Sequence, residues 1–299
     1  MVLPNFLVIG AAKAGTSSIY SYLKQHPQIY MSEIKEPKFF SLEGEELNFA
    51  GPSQYINHTS INDLDSYQEL FVDVKDEIAI GEASPLYLYS TKAARRIKHY
   101  IPEAKLIVIL RHPAERAFSS FAHLVREGFE TSSFEAGLAA ESQRISDKWA
   151  PLWYYQDKGF YARQLKPYFE LFDRQQIKIY LYEELQQDAI ALVQDMYQFL
   201  GVTPDFVPDL TRKNVSGVPK SRFFHSLLTQ DNSLKTLIKA ALPKSIRKKL
   251  YQDLKSKNLG SKPVMSAATS KQLNDLYQQD ISELQTLIDR DLSSWLVTK

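Results

Sequence analysis

Blocks of apolar and polar residues succeed one another along this chain in a way that predicts strands and helices by turns. Residues 6–9 are four consecutive apolar positions, short and partly β-branched, which fits a buried strand that ends at Gly10. Residues 11–18 are small or hydroxylated apart from Lys13, and Ile19, Tyr20 and Leu23 then share a helical face until His26-Pro27 closes it. A short extended piece is expected at 28–31, a second strand at 78–80 and a helix at 91–100. KLIVIL at 105–110 is the clearest strand, a continuous apolar run of the kind covered on both faces in parallel sheets. The helix predicted at 115–125 presents Phe118, Phe121, Ala122 and Val125 on one side. Further on, 154–172 reads as one long aromatic-rich helix, 177–182 as a strand, 185–200 as a helix stopped by Gly201, and 221–257 as helical with a break at Pro243. A last helix at 271–295 is expected to bury Leu273, Leu276, Ile281, Leu284, Ile288 and Trp295. Polar residues 41–76, broken by Gly44, Gly51-Pro52, Asn57 and Asn62, predict loops with one short helix near 63–71.

Strands and helices that alternate at this spacing imply an α/β fold with a central parallel sheet flanked by helices. No long polar linker divides the chain, so residues 1–299 are expected to form one domain, with a helical C-terminal region of about 221–299 packed on it.

Composition narrows the function classes. At 299 residues and 44% hydrophobic the chain can bury one large core, and its net charge of +1 gives no general attraction to nucleic acid or to an anionic membrane. With no cysteine there is no disulfide and no thiolate chemistry, which fits a reducing, cytoplasmic setting. The first apolar run is too short for a signal-peptide core, and no run reaches the length of a membrane span.

The candidate chemistry begins at residues 10–18, GAAKAGTSS. A strand, a small-residue loop and a helix together make an anion cradle, because loop N–H groups and the positive end of the helix converge where few side chains obstruct a phosphate. In nucleotide triphosphatases the lysine directly follows the second glycine and precedes a magnesium-holding Ser/Thr. Here Thr16 follows Gly15 and Lys13 stands two residues before it, over the near phosphate and its bridging oxygen. The strand at 105–110 runs into Arg111, where a magnesium-dependent phosphotransferase would carry an acid, and Ser119 lies two turns into the next helix on the same side. In an open α/β sheet such strand ends share one crevice, which places Arg111 beside the first loop. Pro37 keeps Lys35, Glu36 and Lys38 on a loop anchored by Phe39 and Phe40, and Glu36 is a candidate general base. Glu82 and His123 are alternatives for that role, whereas His26 and His112, each beside a proline, read as turn or capping residues. The acceptor pocket is expected from the loops at 41–76 and 126–155, with Trp149, Trp153, Tyr154 and Tyr155 among its walls. A P-loop kinase or NTPase and a non-catalytic nucleotide-binding protein are the competing classes.

These segments resemble a known superfamily. GAAKAGTSSIYSYLKQHP is similar to the phosphosulfate loop of P-loop sulfotransferases that use 3′-phosphoadenosine 5′-phosphosulfate (PAPS), and LRHPAERAFSSF to their 3′-phosphate element, whose Arg and Ser lie eight residues apart. KEPKFF resembles the loop that supplies the acidic base in heparan-sulfate-type members. GEASPLYL is similar to a further segment of these enzymes, except that Ala83 stands where many have lysine. TRKNVSG resembles the late basic loop of cytosolic sulfotransferases, with Asn214 in place of glycine. The resemblance implies a P-loop-type sheet and a metal-independent, in-line transfer of a sulfuryl group from PAPS to a hydroxyl or amine of a carbohydrate or small molecule, giving PAP. It also implies that Lys13, Ala14, Gly15, Thr16, Ser17, Ser18, Arg111, Ser119, Arg212 and Lys213 hold the donor, with Lys13 and Glu36 catalytic.

Overall fold

A computed structural model describes residues 2–53, 56–211 and 264–297. Five parallel strands form one sheet in the order β2-β3-β1-β4-β5, with β1 Phe6–Gly10, β2 Ile29–Met31, β3 Ala79–Ala83, β4 Lys105–Leu110 and β5 Ile177–Leu181. β1 is central, and its pairs Phe6↔Gly81 and Phe6↔Lys105 lock it to both neighbours. From β1 the chain crosses to β2 and β3 on one side, whereas from β4 it crosses to β5 on the other. The carboxyl ends of β1 and β4 therefore lie side by side at a topological switch point, where an open α/β sheet has its crevice. Phe6 to Ile9 and Leu106 to Leu110 are fully buried, each large aliphatic side chain contributing about 1.5–3 kcal/mol relative to exposure.

Helices cover both faces, and several boundaries depart from the sequence pattern for identifiable reasons. β3 extends to Ala83 because the ladder Phe6↔Gly81, Leu7↔Glu82, Val8↔Ala83 continues through residues of low strand propensity, so Glu82 lies within the strand. The predicted helix at 154–172 is α-helical only over Tyr161–Leu171, preceded by a single 3-10 turn at Asp157–Gly159. Both carboxylate oxygens of Glu141 take the N–H groups of Gln156 and Asp157 at 2.7 Å, which starts that separate turn instead of a continuous α-helix. Asp280 accepts from the N–H groups of Ala162 (3.1 Å) and Arg163 (3.4 Å) and so starts the helix at Tyr161. The predicted helix at 185–200 is two, Tyr182–Gln187 and Ala189–Leu200, the second capped by Asp188. The last helix, Ala267–Ile288, ends at Asp289 and is followed by Ser293–Leu296. Its buried stripe runs through Leu273, Tyr277, Ile281, Leu284 and Ile288, with Tyr277 in the place expected for Leu276, which is exposed. This helix packs on Tyr161–Leu171. The helical prediction for 221–257 lies outside the described residues, and among the described residues no helix is long and apolar enough to cross a membrane.

Candidate active site

The loop after β1 is built by backbone geometry. Ala11 N–H donates to Ile109 O (2.7 Å), which ties the loop to β4, and Lys13 (φ +70°) and Gly15 (φ +103°) take left-handed conformations that fold it into the start of α1, Thr16–Leu23. A Cβ on Gly15 would sit 2.7 Å from Leu185 Cδ2, so glycine is required there both for conformation and for space. Ala14 N–H donates to Ala11 O (3.2 Å) and Ser18 N–H to Gly15 O (2.9 Å). Among the described residues the N–H groups of Gly15, Thr16 and Ser17 have no backbone acceptor, as the first positions of a helix require. Ala14 is fully buried and does not line the cavity, whereas Ser18, whose N–H is taken by Gly15 O, does.

A cavity of about 1230 Å³ opens over this loop and is lined by Lys13, Gly15, Thr16, Ser17, Ser18, Glu36, Arg111 and Ser119, among others. Arg111, 8% exposed, donates to Lys13 O (3.4 Å), lies 4.7 Å over the Tyr182 ring, and pairs with Glu115 at 3.0 Å. Ser119, two turns into the helix Pro113–Glu127, shares the same wall. The two cations expected at neighbouring strand ends therefore meet in one cavity, together with Arg126, whose guanidinium lies 2.7 Å from His123 Nδ1. Arg212 and Lys213 lie outside the described residues.

Glu36 (φ +64°) is fixed by its N–H to Ala83 O (3.1 Å), and its carboxylate pairs with Lys35 at 2.6 Å while its side chain remains 40% open, toward the cavity. Burial pushes its pKa up, but Lys35, then Lys38 and Lys158, outweigh burial and hold it below the ordinary carboxylate value, so it is ionised and able to accept a proton. Lys13 is lowered to about 8, first by burial and then by Arg126, against the opposing pull of Glu36. His123 also lines the cavity, but burial and Lys13 lower it to about 4. Glu82 is fully buried beneath the site, raised to about 7 by burial, takes a hydrogen bond from Tyr67 (3.3 Å), and does not line the cavity. His26 accepts the N–H of Gln28 within its turn and also bonds Thr203 O, whereas His112 stands at the N-cap position of Pro113–Glu127 without a side-chain cap bond, its ring bonding the distant Trp295 O.

A second cavity of about 240 Å³ adjoins the first across Ala12, Glu36, Pro85, Leu152 and Lys158. Its remaining walls are Lys35, Lys38, Phe49, Ile56, Leu86, Ala150 and Pro151. The aromatic residues expected to wall an acceptor pocket line neither cavity: Trp153, Tyr154 and Tyr155 are buried, and Trp149 packs against Gly51 and Trp153. Lys158 escaped the sequence reading, because residues 154–172 were read as one amphipathic helix. The signal available was Asp157-Lys158-Gly159, a helix-breaking glycine inside that stretch.

A profile of the sulfotransferase family matches residues 4–206. The chain belongs to the sulfotransferase family. The crystal structure of a sulfotransferase from Alicyclobacillus acidocaldarius is 36% identical and superposes with a TM-score of 0.78 over 99% of either chain. Among curated proteins, bifunctional heparan sulfate N-deacetylase/N-sulfotransferase 4 of Mus musculus is 30% identical over 214 residues, covering 68% of this chain and 23% of that protein. The human enzyme numbered 3 in the same series is 30% identical over 210 residues, with the same coverage. This sulfotransferase thus spans less than a quarter of the length of these curated relatives.

Proposed function

We propose that this sulfotransferase uses PAPS as donor and moves the sulfuryl group, by in-line transfer, to a hydroxyl or amine of a small molecule or carbohydrate, releasing PAP. The observation that carries the reading is the meeting of Lys13 and Arg111 in one cavity at the switch point of the sheet. In this reading the N–H groups of Gly15, Thr16 and Ser17, with the hydroxyls of Thr16, Ser17 and Ser18, hold the 5′-phosphosulfate, and Arg111 and Ser119 hold the 3′-phosphate. Lys13 neutralises charge on the bridging oxygen as its bond to sulfur breaks. Glu36 takes the proton of the acceptor as the new bond to sulfur forms. The residues at hand fit such a donor: helix-start N–H groups, hydroxyls and the four cations Lys13, Arg111, Arg126 and Lys158 line a space large enough for a nucleotide.

The second cavity is the acceptor site in this reading, since it joins the first at Glu36. At about 240 Å³ it falls just below the roughly 300–1,000 Å³ usual for ligand pockets, and Phe49, Ile56, Leu86 and Pro151 suit a compact acceptor with an apolar face. In this reading residues 1–299 act as one catalytic unit, with Ala267–Ile288 bracing the cavity wall. The test is calorimetric binding of PAP together with transfer of labelled sulfuryl from PAPS to a panel of phenols, alcohols, amines and hexoses. Failure of PAP to bind at micromolar concentration would overturn the donor assignment.

A further inference from the structure

Lys158 is the one buried cation at the junction of the two cavities. It is 7% exposed and lines both, and among the described residues its amine has neither a hydrogen-bond acceptor nor a carboxylate within ion-pair distance. An unpaired ammonium in such a place costs several kcal/mol, a cost removed when the amine gives up its proton or when something anionic arrives beside it. The surrounding structure holds the residue in position. Glu141 grips the N–H groups of Gln156 and Asp157, Tyr277 donates to Gln156 O at 2.9 Å, and buried Arg116 donates to Tyr155 O. Gly159 lets the Tyr277 ring come so close that a Cβ there would lie 2.5 Å from it. Three separate helices thus contribute to fixing one short segment, and the lysine it carries faces the space where donor and acceptor have to meet.

We infer that Lys158 is a catalytic residue whose ammonium binds the oxygens of the sulfuryl group while it passes from donor to acceptor. The inference rests on the donor and acceptor reading above. In the step, the bond from sulfur to the bridging phosphate oxygen breaks and its electron pair stays on that oxygen, beside Lys13. The acceptor oxygen or nitrogen bonds to sulfur and its proton passes to Glu36. Lys158 gains and loses no proton, and its charge is matched by the oxygens it holds.

The groups facing the amine act in both directions. Arg116 from the helix Pro113–Glu127 and Lys13 from the first loop disfavour its charge, while Glu36 and Glu141 favour it. Lys35 and Lys38 line the same cavity, and the Tyr89 ring lies 6.0 Å away. Burial is the largest influence, and the pKa falls to about 7. In the free protein the amine is therefore partly neutral near pH 7, and an anion beside it restores the proton.

The experiment compares Lys158→Met and Lys158→Arg with wild type, reading release of PAP from PAPS with the acceptor panel and with water alone, PAP affinity by calorimetry, and thermal stability. Lys158→Met is expected to lower kcat by about 100- to 1,000-fold, the cost of removing one preorganised donor to transition-state charge. PAP affinity should stay within threefold, and Tm should hold or rise, because an unpaired buried charge has gone. A merely structural lysine would instead lower Tm and activity together. Lys158→Arg should recover part of kcat and remove the decline of kcat/KM for PAPS that wild type shows as pH rises through about 7. If Lys158→Met keeps more than a third of wild-type kcat, or loses activity only in proportion to lost stability, the role assigned to Lys158 is overturned. If wild type itself does not bind PAP, the donor reading falls, and the inference falls with it.

Discussion

Removing the guanidinium of Arg111 separates recognition of a 3′-phosphate from everything else the cavity does. In the Arg111→Ala variant the stability loss is expected to be small. The partner Glu115 is 48% exposed, so the pair is screened and worth under about 1 kcal/mol, and the bond to Lys13 O is long at 3.4 Å. For a bound anion the position is different. The Arg111 side chain is only 10% exposed, and deleting one member of a buried charge-assisted pair costs about 2–4 kcal/mol, or roughly 30- to 1,000-fold in Kd. Calorimetry with two ligands locates the loss. PAP carries a 3′-phosphate, and adenosine 5′-phosphosulfate does not. Arg111→Ala should weaken PAP by that factor and leave adenosine 5′-phosphosulfate within threefold. Equal weakening of both ligands would mean that Arg111 acts on the loop through Lys13 O, and the 3′-phosphate assignment would be refuted.

Replacing Glu36 with Gln removes the proton acceptor but not the loop geometry, so kcat should fall by about 100- to 10,000-fold with PAP affinity unchanged, as a radiolabel transfer assay and calorimetry would read. Because Lys35 holds Glu36 below the ordinary carboxylate value, wild-type activity should persist as pH falls through the ordinary carboxylate range and be lost only below it, whereas a group with a raised pKa would fail earlier. Gly15→Ala forces a φ of +103° on a residue with a Cβ and pushes Leu185 aside, at a cost of about 2–3 kcal/mol. The expected fall in Tm is about 3–5 °C by calorimetry, with Leu185→Ala restoring part of it. Lys13 and Lys158, lowered to about 8 and about 7, bind fewer protons folded than unfolded from there up to the ordinary lysine range near 10.5, so their contribution to stability grows as pH rises through that window. PAP should reverse the shift at Lys13, and its binding at pH 8 should take up protons, seen as heats that vary with the ionisation enthalpy of the buffer.

Much of this was legible from local pattern. The run at 105–110 could only be a doubly covered strand, and the break from apolar to small residues at Gly10 placed the loop that holds Lys13. Strand ends that adjoin in a parallel sheet brought Arg111 to it, although the two residues are 98 positions apart. What stayed hidden depended on long-range capture of backbone groups. Nothing near residue 156 announces that Glu141 will take two of its N–H groups, or that Asp280, more than a hundred positions later, will start the next helix. Those contacts turn a predicted helix into the irregular segment that delivers Lys158. The aromatic residues of 149–155 line neither cavity for a related reason. Trp153 and Tyr155 carry the largest apolar surfaces of their segment and are drawn into the core, which leaves the cavity to Leu152 and Pro151.

The backbone reports the same priority as the side chains. Among the described residues five non-glycine positions have positive φ, and three of them, Lys13, Glu36 and Lys38, line one or both of the cavities. Each costs about 1–2 kcal/mol that glycine would not incur. A fold free to minimise backbone strain would place glycine at all three, as it does at Gly15, where no charge is called for. That it carries two ammonium groups and a carboxylate instead means that the left-handed turns serve to aim charge. At Lys13 and Lys38 the chain reverses within a residue or two of the start of a helix, and a side chain leaving an αL position points where one leaving a β or αR position cannot. Left-handed backbone and cationic side chains thus gather around the same two cavities, and in the proposed reading an anion between the first loop, the loop of Glu36 and the segment of Lys158 would offset that positive charge.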